Sequence, residues 1–125
     1  MRLESPILDA GREATPEAIE EVVRRLPESD DPFVIVSVDS LTYIQAVWAE
    51  SGFLVEHQEG DLSRHYLSER DDLSVFELID LLKAYARKDP DWARGVAFEH
   101  MVLPEPTPRQ GFLARIFSRL FGRSH

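Results

Sequence analysis

The stretch Gly52-Phe-Leu-Val-Glu-His-Gln-Glu-Gly-Asp-Leu-Ser-Arg-His-Tyr66 predicts two short β-strands that fold back on each other across the turn Glu59-Gly60-Asp61. Glycine followed by aspartate is typical of such a turn. The densest set of polar side chains in the chain lies in the same stretch: Glu56, His57, Gln58, Arg64, His65 and Tyr66. The hairpin is therefore both the expected centre of the fold and the first candidate site.

Two further strands are expected immediately before the hairpin. Residues 33–38 (FVIVSV) form a β-branched apolar run, which is typical of a central strand. Residues 42–49 (TYIQAVWA) are rich in β-formers and can pair with this run across the turn Asp39-Ser40. Together with the hairpin they predict a four-strand antiparallel meander over residues 33–68.

Two helices flank the meander in the sequence. Thr15 can cap a helix that begins at Pro16, and apolar residues recur at helical spacing up to Leu26. Ser74 and Glu77 form a capping box at the start of a second helix, which Asp89-Pro90 terminates. Both segments therefore predict helices with one buried face.

The ends of the body are less regular. Residues 1–14 show no clear period, and we expect a lead-in with a short extended piece at Ile7-Leu8. Residues 96–101 alternate in polarity and predict a fifth strand. The order α-β-β-β-β-α-β predicts an α+β fold, in which an antiparallel sheet of four to five strands carries two helices on one face.

The charge divides the chain into two parts. The whole chain of 125 residues has a net charge of −9, and residues 104–125 contain four arginines and one acid, or +3. Residues 1–103 therefore carry −12, and we expect one acidic α+β domain there. Three prolines, Pro104, Pro106 and Pro108, predict a stiff spacer ahead of a basic tail helix. An acidic body argues against nucleic-acid binding and favours a basic protein partner.

Composition and hydropathy bear on compartment and cofactors. The chain has no cysteine, which excludes disulfides and thiolate metal sites. No stretch approaches the roughly 18 apolar residues that span a bilayer, and the first residues lack the apolar region of a secretory signal. We expect a cytoplasmic protein with no cofactor, and the tail leaves open a peripheral position at the inner membrane face.

The register of the hairpin decides which polar residues meet. If Gly60-Asp61 are the turn residues, Glu56 faces His65 and His57 faces Arg64. Directly opposed side chains have β-carbons about 4.5–5.5 Å apart, so Glu56 and His65 could hydrogen-bond. A change of one residue in the turn would reverse the faces.

The polar residues of the hairpin admit two interpretations. A carboxylate that orients an imidazole is an acid/base arrangement, but an unremarkable cross-strand pair on the open face of a sheet has the same sequence. Because no nucleophile or phosphate-binding motif accompanies them, we expect no catalytic residue. We expect no metal site either, since His57 and His65 point to opposite faces in this register. The candidate binding residues are Glu56, Gln58, Arg64, His65 and Tyr66.

Several of these residues carry a family resemblance. Tyr43-Ile-Gln45, the run Gly52 to Gly60, His65-Tyr66, the capped helix and Trp92 resemble a group of small, mostly uncharacterised bacterial proteins. Some members of that group resemble the immunity proteins that accompany secreted toxins. The resemblance covers residues 33–101, implies a small binding protein rather than an enzyme, and transfers no binding residue.

The tail predicts a short basic amphipathic helix over residues 111–123. Arg115, Arg119 and Arg123 recur every four residues, on or beside the side opposite a broad apolar face. The expected contact residues are Phe112, Leu113, Arg115, Ile116, Phe117, Arg119, Leu120 and Phe121. The pattern leaves four occupants open: the sheet of its own domain, a second copy in a homodimer, a membrane surface or a partner's groove.

The sequence favours a non-enzymatic protein-binding module, in the form of an immunity-type inhibitor of a bacterial toxin. The alternative is a membrane-surface adaptor held by residues 111–123. A third hypothesis, an enzyme that uses Glu56 and His65, is the one that the motifs favour least.

Overall fold

A computed structural model describes residues 1–102 of the chain. The predicted spacer and the predicted tail helix at 111–123 lie outside the described residues. Their contact residues are therefore treated below as predictions.

The described residues form one antiparallel sheet with two helices. The sheet has the strand order β2-β1-β3-β4-β5-β6-β7, and every neighbouring pair is antiparallel. The strands are β1 Arg2–Glu4, β2 Arg12–Glu13, β3 Phe33–Ser37, β4 Thr42–Trp48, β5 Phe53–Glu59, β6 His65–Ser68 and β7 Phe98–Met101. The predicted α+β class, with its antiparallel sheet and two helices, is confirmed.

The predicted strand count was too low, because residues 1–14 contribute β1 and β2. Leu3 lies opposite Val36 of β3, and its side chain is buried in the core. The expected extended piece at Ile7-Leu8 was wrong, since these residues lie in the connection between β1 and β2. Strands of two or three residues are too short to show a period of two, so the pairing of β1 with β3 and of β2 with β1, rather than local pattern, specifies them.

Both helices begin at the predicted caps. Helix α1 (Pro16–Arg25) has Thr15 as its cap, whose hydroxyl accepts a hydrogen bond from Ala18 N at 3.1 Å. Helix α2 (Val75–Ala86) begins with the capping box, in which Ser74 and Glu77 accept from each other's backbone amides. Neither helix is long and apolar enough to cross a membrane.

The main core lies between the helices and one face of the sheet, here called the helix face. Ile19, Val22, Leu78 and Leu82 pack there against strand residues such as Val36. Burial of this continuous apolar layer is the main stabilising contribution to the fold. The alternating residues of the strands point to the opposite face, here called the second face.

The second face carries a smaller apolar cluster, whose members all lie on strands. Val47, Leu54 and Leu67 are buried and contact Phe33 and Met101. Neither described helix belongs to this cluster. Ile35, Tyr43 and several buried polar side chains of β4, β5 and β6 lie on the same face.

Candidate functional site

The hairpin between β5 and β6 has a longer connection than its sequence predicted. Glu56 lies opposite Leu67, and His57 lies opposite Tyr66, so the predicted pairs Glu56–His65 and His57–Arg64 were wrong. The register differs by two residues, and an even shift keeps each side chain on its predicted face.

The side chain of Asp61 explains this longer connection. Its carboxylate accepts from the backbone amide of Ser63 at 2.8 Å and from the Ser63 hydroxyl. The carbonyl of Asp61 accepts from Arg64 N at 3.1 Å, and Glu59 N donates to the Arg64 carbonyl at 3.0 Å. Gly60 has a φ of +91°, in the left-handed region that favours glycine. These bonds make a four-residue loop instead of a two-residue turn.

Four side chains form a hydrogen-bonded row on the second face, here called the polar row: Gln45, Glu56, His65 and Gln58. The amide of Gln45 donates to Glu56 Oε1, and Glu56 Oε2 lies 2.7 Å from His65 Nε2. His65 Nδ1 lies 3.1 Å from Gln58 Oε1. Gln58 Nε2 donates to the carbonyl of Leu41 at 3.0 Å. The polar row thus links three strands and ends on a backbone carbonyl.

The last bond in the row fixes the protonation of His65. A carbonyl can only accept, so the Gln58 amide nitrogen must face Leu41 and its oxygen must face His65. His65 Nδ1 therefore carries a proton and donates it to Gln58. A second proton lies between Nε2 and Glu56 Oε2, either as imidazolium with carboxylate or as imidazole with carboxylic acid. Each arrangement satisfies both ring nitrogens.

The polar row is inaccessible, and among the polar atoms of its side chains only Gln45 Oε1 is buried without a hydrogen-bond partner. All four of its side chains are at most 1% exposed. An acid or base that acts on a substrate must come within hydrogen-bond reach of it. The geometry therefore favours a structural role for Glu56, Gln58 and His65, three of the candidate binding residues.

The alternating residues of β5 build a different environment on the helix face. The ring of His57 stacks on Tyr66, with centroids 4.8 Å apart and planes at 17°. The edges of Trp92 and Phe98 close around it at 4.9 and 4.5 Å. Burial in this aromatic surround lowers the pKa of His57 to about 4, with a smaller contribution from the charge of His65. His57 is therefore neutral at neutral pH.

Three polar atoms on β5 and α2 are buried without a hydrogen-bond partner, and they are here called the unpaired trio: His57 Nδ1, Glu59 Oε2 and Tyr85 Oη. His57 Nδ1 and Glu59 Oε2 are 3.4 Å apart but do not form a hydrogen bond. Within residues 1–102, the one other such atom is Gln45 Oε1. Buried polar atoms are normally paired, so these three unpaired atoms make this end of the helix face a candidate binding position.

Burial perturbs the two other members of the trio. It raises the pKa of Glu59, an effect that the charge of Arg64 partly offsets. Burial also raises the pKa of Tyr85, and the negative charges of Glu59 and Asp39 add to that shift. The hydroxyl of Tyr85 therefore stays protonated and lies within the electrostatic influence of both carboxylates.

Two loops meet beside Glu59 and form an accessible surface, here called the tip surface: Val38, Asp39, Leu41 and Asp61. Gly60 N donates to the carbonyl of Leu41 at 3.1 Å, which holds the β3–β4 turn against the β5–β6 loop. Val38 is 54% exposed and Leu41 is 47% exposed, although both are large and apolar. Asp39 and Asp61 are exposed beside them. Apolar area next to negative charge suits a basic protein surface.

The structure separates the five candidate residues that the sequence singled out. Glu56, Gln58 and His65 meet in the polar row, Arg64 is exposed on the loop, and Tyr66 is half-buried on the helix face. Sequence reasoning missed the tip surface and the contribution of Tyr85. The sequence did contain a signal for the tip surface, since the apolar residues Val38 and Leu41 lie on either side of the turn Asp39-Ser40.

Two other kinds of site give weaker indications. Within residues 1–102 no three metal-binding side chains come together. A groove of about 410 Å³ runs between α2 and the loop that contains Trp92. Its rim includes the ion pairs Arg87–Asp89 and Arg94–Asp91, whose charges are already matched. The unpaired trio is the stronger candidate.

Comparisons with protein-family models, with curated proteins and with solved structures found no match to this chain. The resemblance to small bacterial immunity-like proteins therefore stays a prediction.

Proposed function

We propose that this protein is a non-enzymatic binding module that docks on a basic protein partner through its tip surface. The observation that carries this function is the exposure of Val38 and Leu41 between two exposed aspartates. Residues 1–102 contain 22 acidic and 10 basic side chains, a net charge of −12, which would steer a basic partner toward this surface.

A photo-crosslinking amino acid at position 41 tests this function in cells. Phe76 is the matched control position, because it is 65% exposed and apolar but lies on α2. We expect a discrete protein adduct from position 41, none from position 76, and loss of the adduct when Asp39→Asn and Asp61→Asn are combined. Equal labelling from both positions, or an adduct indifferent to the two aspartates, would contradict docking through the tip surface.

The immunity-type inhibitor is the specific form that the family resemblance supports. In that form the partner is a bacterial toxin domain with a basic surface, and binding occludes it in the cytoplasm. Mass spectrometry of the position-41 adduct identifies the partner. A housekeeping protein in the adduct, with no toxin domain, would end the immunity hypothesis while leaving the binding function in place.

A membrane-surface adaptor is the second candidate function. The pattern of residues 111–123 favours it, because arginines at four-residue spacing beside a bulky aromatic face suit an anionic lipid surface. Co-sedimentation with anionic vesicles, for the full chain and for a chain ending at residue 105, tests it at low and high salt. Salt-sensitive binding that requires the tail would support a peripheral position at the inner membrane face. If the full chain does not sediment with the vesicles, the adaptor function is wrong.

A further inference from the structure

We propose that the unpaired trio of His57, Glu59 and Tyr85 binds a primary ammonium group. Which molecule supplies this group rests on the proposed function. If the protein docks on a basic partner, the group is the side chain of a lysine of that partner. The site itself depends only on the residues described here.

The two elements that carry the trio, β5 and α2, are linked through aromatic contacts. His57 and Glu59 lie two residues apart on β5, so their side chains share the helix face. Tyr85 lies in the last turn of α2, and its ring is 5.0 Å from that of Trp92. The ring of Trp92 is in turn 4.9 Å from that of His57. Trp92 thus contacts both a residue of β5 and a residue at the end of α2, which brings the members of the trio to the same end of the helix face.

The chemistry of the three atoms matches an ammonium group. Neutral His57 Nδ1, if unprotonated, the Glu59 carboxylate and the Tyr85 oxygen can each accept a hydrogen bond. A lysine ammonium has three donors and no acceptor. The three acceptors therefore suit the donors of an ammonium group, whereas an anion would meet the carboxylate of Glu59.

The surrounding charges also favour a cation. Glu59 and Asp39 both contribute negative potential at Tyr85. The C-terminal end of α2, where Tyr85 lies, adds the negative pole of the helix dipole. Arg64 is the cation that acts on Glu59, but their side chains form no ion pair within 4 Å among the described residues. The aromatic rings exclude water from one side and so strengthen the remaining attraction.

Glu59 is the member of the trio that lies beside the tip surface, although its Oε2 and the two other unpaired atoms are themselves buried. The side chain of Glu59 is 29% exposed, whereas that of His57 is 9% exposed. Glu59 comes directly before the loop that carries Asp61, and Asp39 lies in the adjoining turn. A lysine that approaches this surface would therefore meet Glu59 first and His57 last.

An NMR titration of the full-length protein with n-butylammonium tests the site, and 1-butanol serves as the uncharged analogue. The readout is the indole N–H of Trp92, and Trp48 provides an internal reference because it packs on Phe53 at another place. Glu59→Gln removes the charge at the site. Glu69→Gln makes the same change at an exposed acid after β6 and is the matched control.

We expect n-butylammonium to shift the Trp92 signal saturably and to leave the Trp48 signal unchanged. The shift should disappear in Glu59→Gln and persist in Glu69→Gln, and 1-butanol should not reproduce it. Tyr85→Phe, which deletes one acceptor, should weaken binding by up to about tenfold. An unchanged shift in Glu59→Gln, its loss in Glu69→Gln, or an equal shift with 1-butanol would overturn the ammonium site.

The outcomes of this titration and of the crosslinking experiment are separable. Ammonium binding without an adduct from position 41 would support the site as one for a free amine and would contradict the docking function. An adduct without ammonium binding would support docking and overturn the site.

Discussion

Strand β5 carries two buried polar groups on opposite faces of the sheet, and each contains one histidine. On the second face, His65 has a hydrogen-bond partner at both ring nitrogens, and the polar row continues to a backbone carbonyl. On the helix face, His57 lies among aromatic rings, and its Nδ1, Glu59 Oε2 and Tyr85 Oη have no partner. Both groups include residues of β5, yet three of the four unpaired buried atoms of residues 1–102 belong to the trio and only one, Gln45 Oε1, belongs to the polar row.

This difference separates structure from recognition. A buried polar network whose members are satisfied makes a fold specific and rigid. Unpaired buried atoms are costly unless something outside the fold completes them. We therefore assign the polar row to the stability of the sheet and the unpaired trio to binding, although the sequence directed attention to the row.

Removal of Glu56 should have the largest effect. Glu56→Ala leaves His65 and Gln45 without their shared partner in a buried site, and breaking a buried pair costs about 3–5 kcal/mol. Urea unfolding at neutral pH measures this loss, and the exposed Glu69→Ala is the control, with an expected change within about 0.5 kcal/mol. A loss below about 1 kcal/mol for Glu56→Ala would mean that the polar row does not stabilise the sheet.

Acidification should weaken the fold through His57. The pKa of His57 falls from 6.5 to about 4 on folding, so the unfolded chain binds a proton that the folded chain does not bind between these values. Stability is therefore lost as the pH falls from about 6.5 towards 4, by about 3 kcal/mol in all. The raised pKa of Glu59 acts in the opposite direction, since the folded chain takes up that proton more readily.

The variant His57→Phe isolates this pH effect. It keeps an aromatic ring among Tyr66, Trp92 and Phe98 but cannot titrate. The free energy of unfolding in urea, measured between pH 4 and pH 7, should increase with pH more steeply for the wild type than for the variant. Parallel pH dependences would show that His57 is not the group responsible.

Loss of Gln58 should have an intermediate effect. Gln58→Leu removes the acceptor for His65 Nδ1 and the donor to the Leu41 carbonyl, which should cost about 1–3 kcal/mol in urea unfolding. The ring nitrogen signals of His65 should shift in NMR spectra, and those of His57 should stay in place. An unchanged His65 spectrum would contradict the fixed protonation of its Nδ1.

Neutralisation of Glu59 should have the smallest effect on stability. Burial already disfavours the charged form of this carboxylate, and it has no ion pair with a fixed cation to lose. Glu59→Gln should therefore change the free energy of unfolding by no more than about 0.5 kcal/mol, or should raise it slightly. A loss above about 2 kcal/mol in urea unfolding would show that Glu59 supports the fold rather than a ligand.

The sequence predicted the larger elements because each carries its own signal. Helix α2 has a capping box and an apolar stripe, and β3 is a continuous β-branched run, so both could be placed without knowledge of the rest. Strands β1 and β2 could not be predicted, because three and two residues hold no periodic pattern. They form because β3 offers β1 an edge to pair with, and β1 in turn pairs with β2.

The candidate site was predictable only in part. Glu56 and His65 were placed on one face, and their hydrogen bond was anticipated, although the register differs by two residues. The loop length could not be inferred, because the side-chain bonds of Asp61 decide it. Tyr85 lies on α2, 26 residues after Glu59 in the chain. In the sequence, the spacing of Tyr85 indicated only that it belongs to the apolar stripe of this helix. Long-range convergence of that kind leaves no local signal.

The most direct test is a ring-nitrogen NMR spectrum that contains both histidines, recorded on the full chain with and without n-butylammonium. If the unpaired trio binds the ammonium group and the polar row is structural, the signals of His57 will shift on addition of the amine, and those of His65 will not. Movement of His65 alone, or equal movement of both histidines, would contradict the division of roles between the two faces of the sheet.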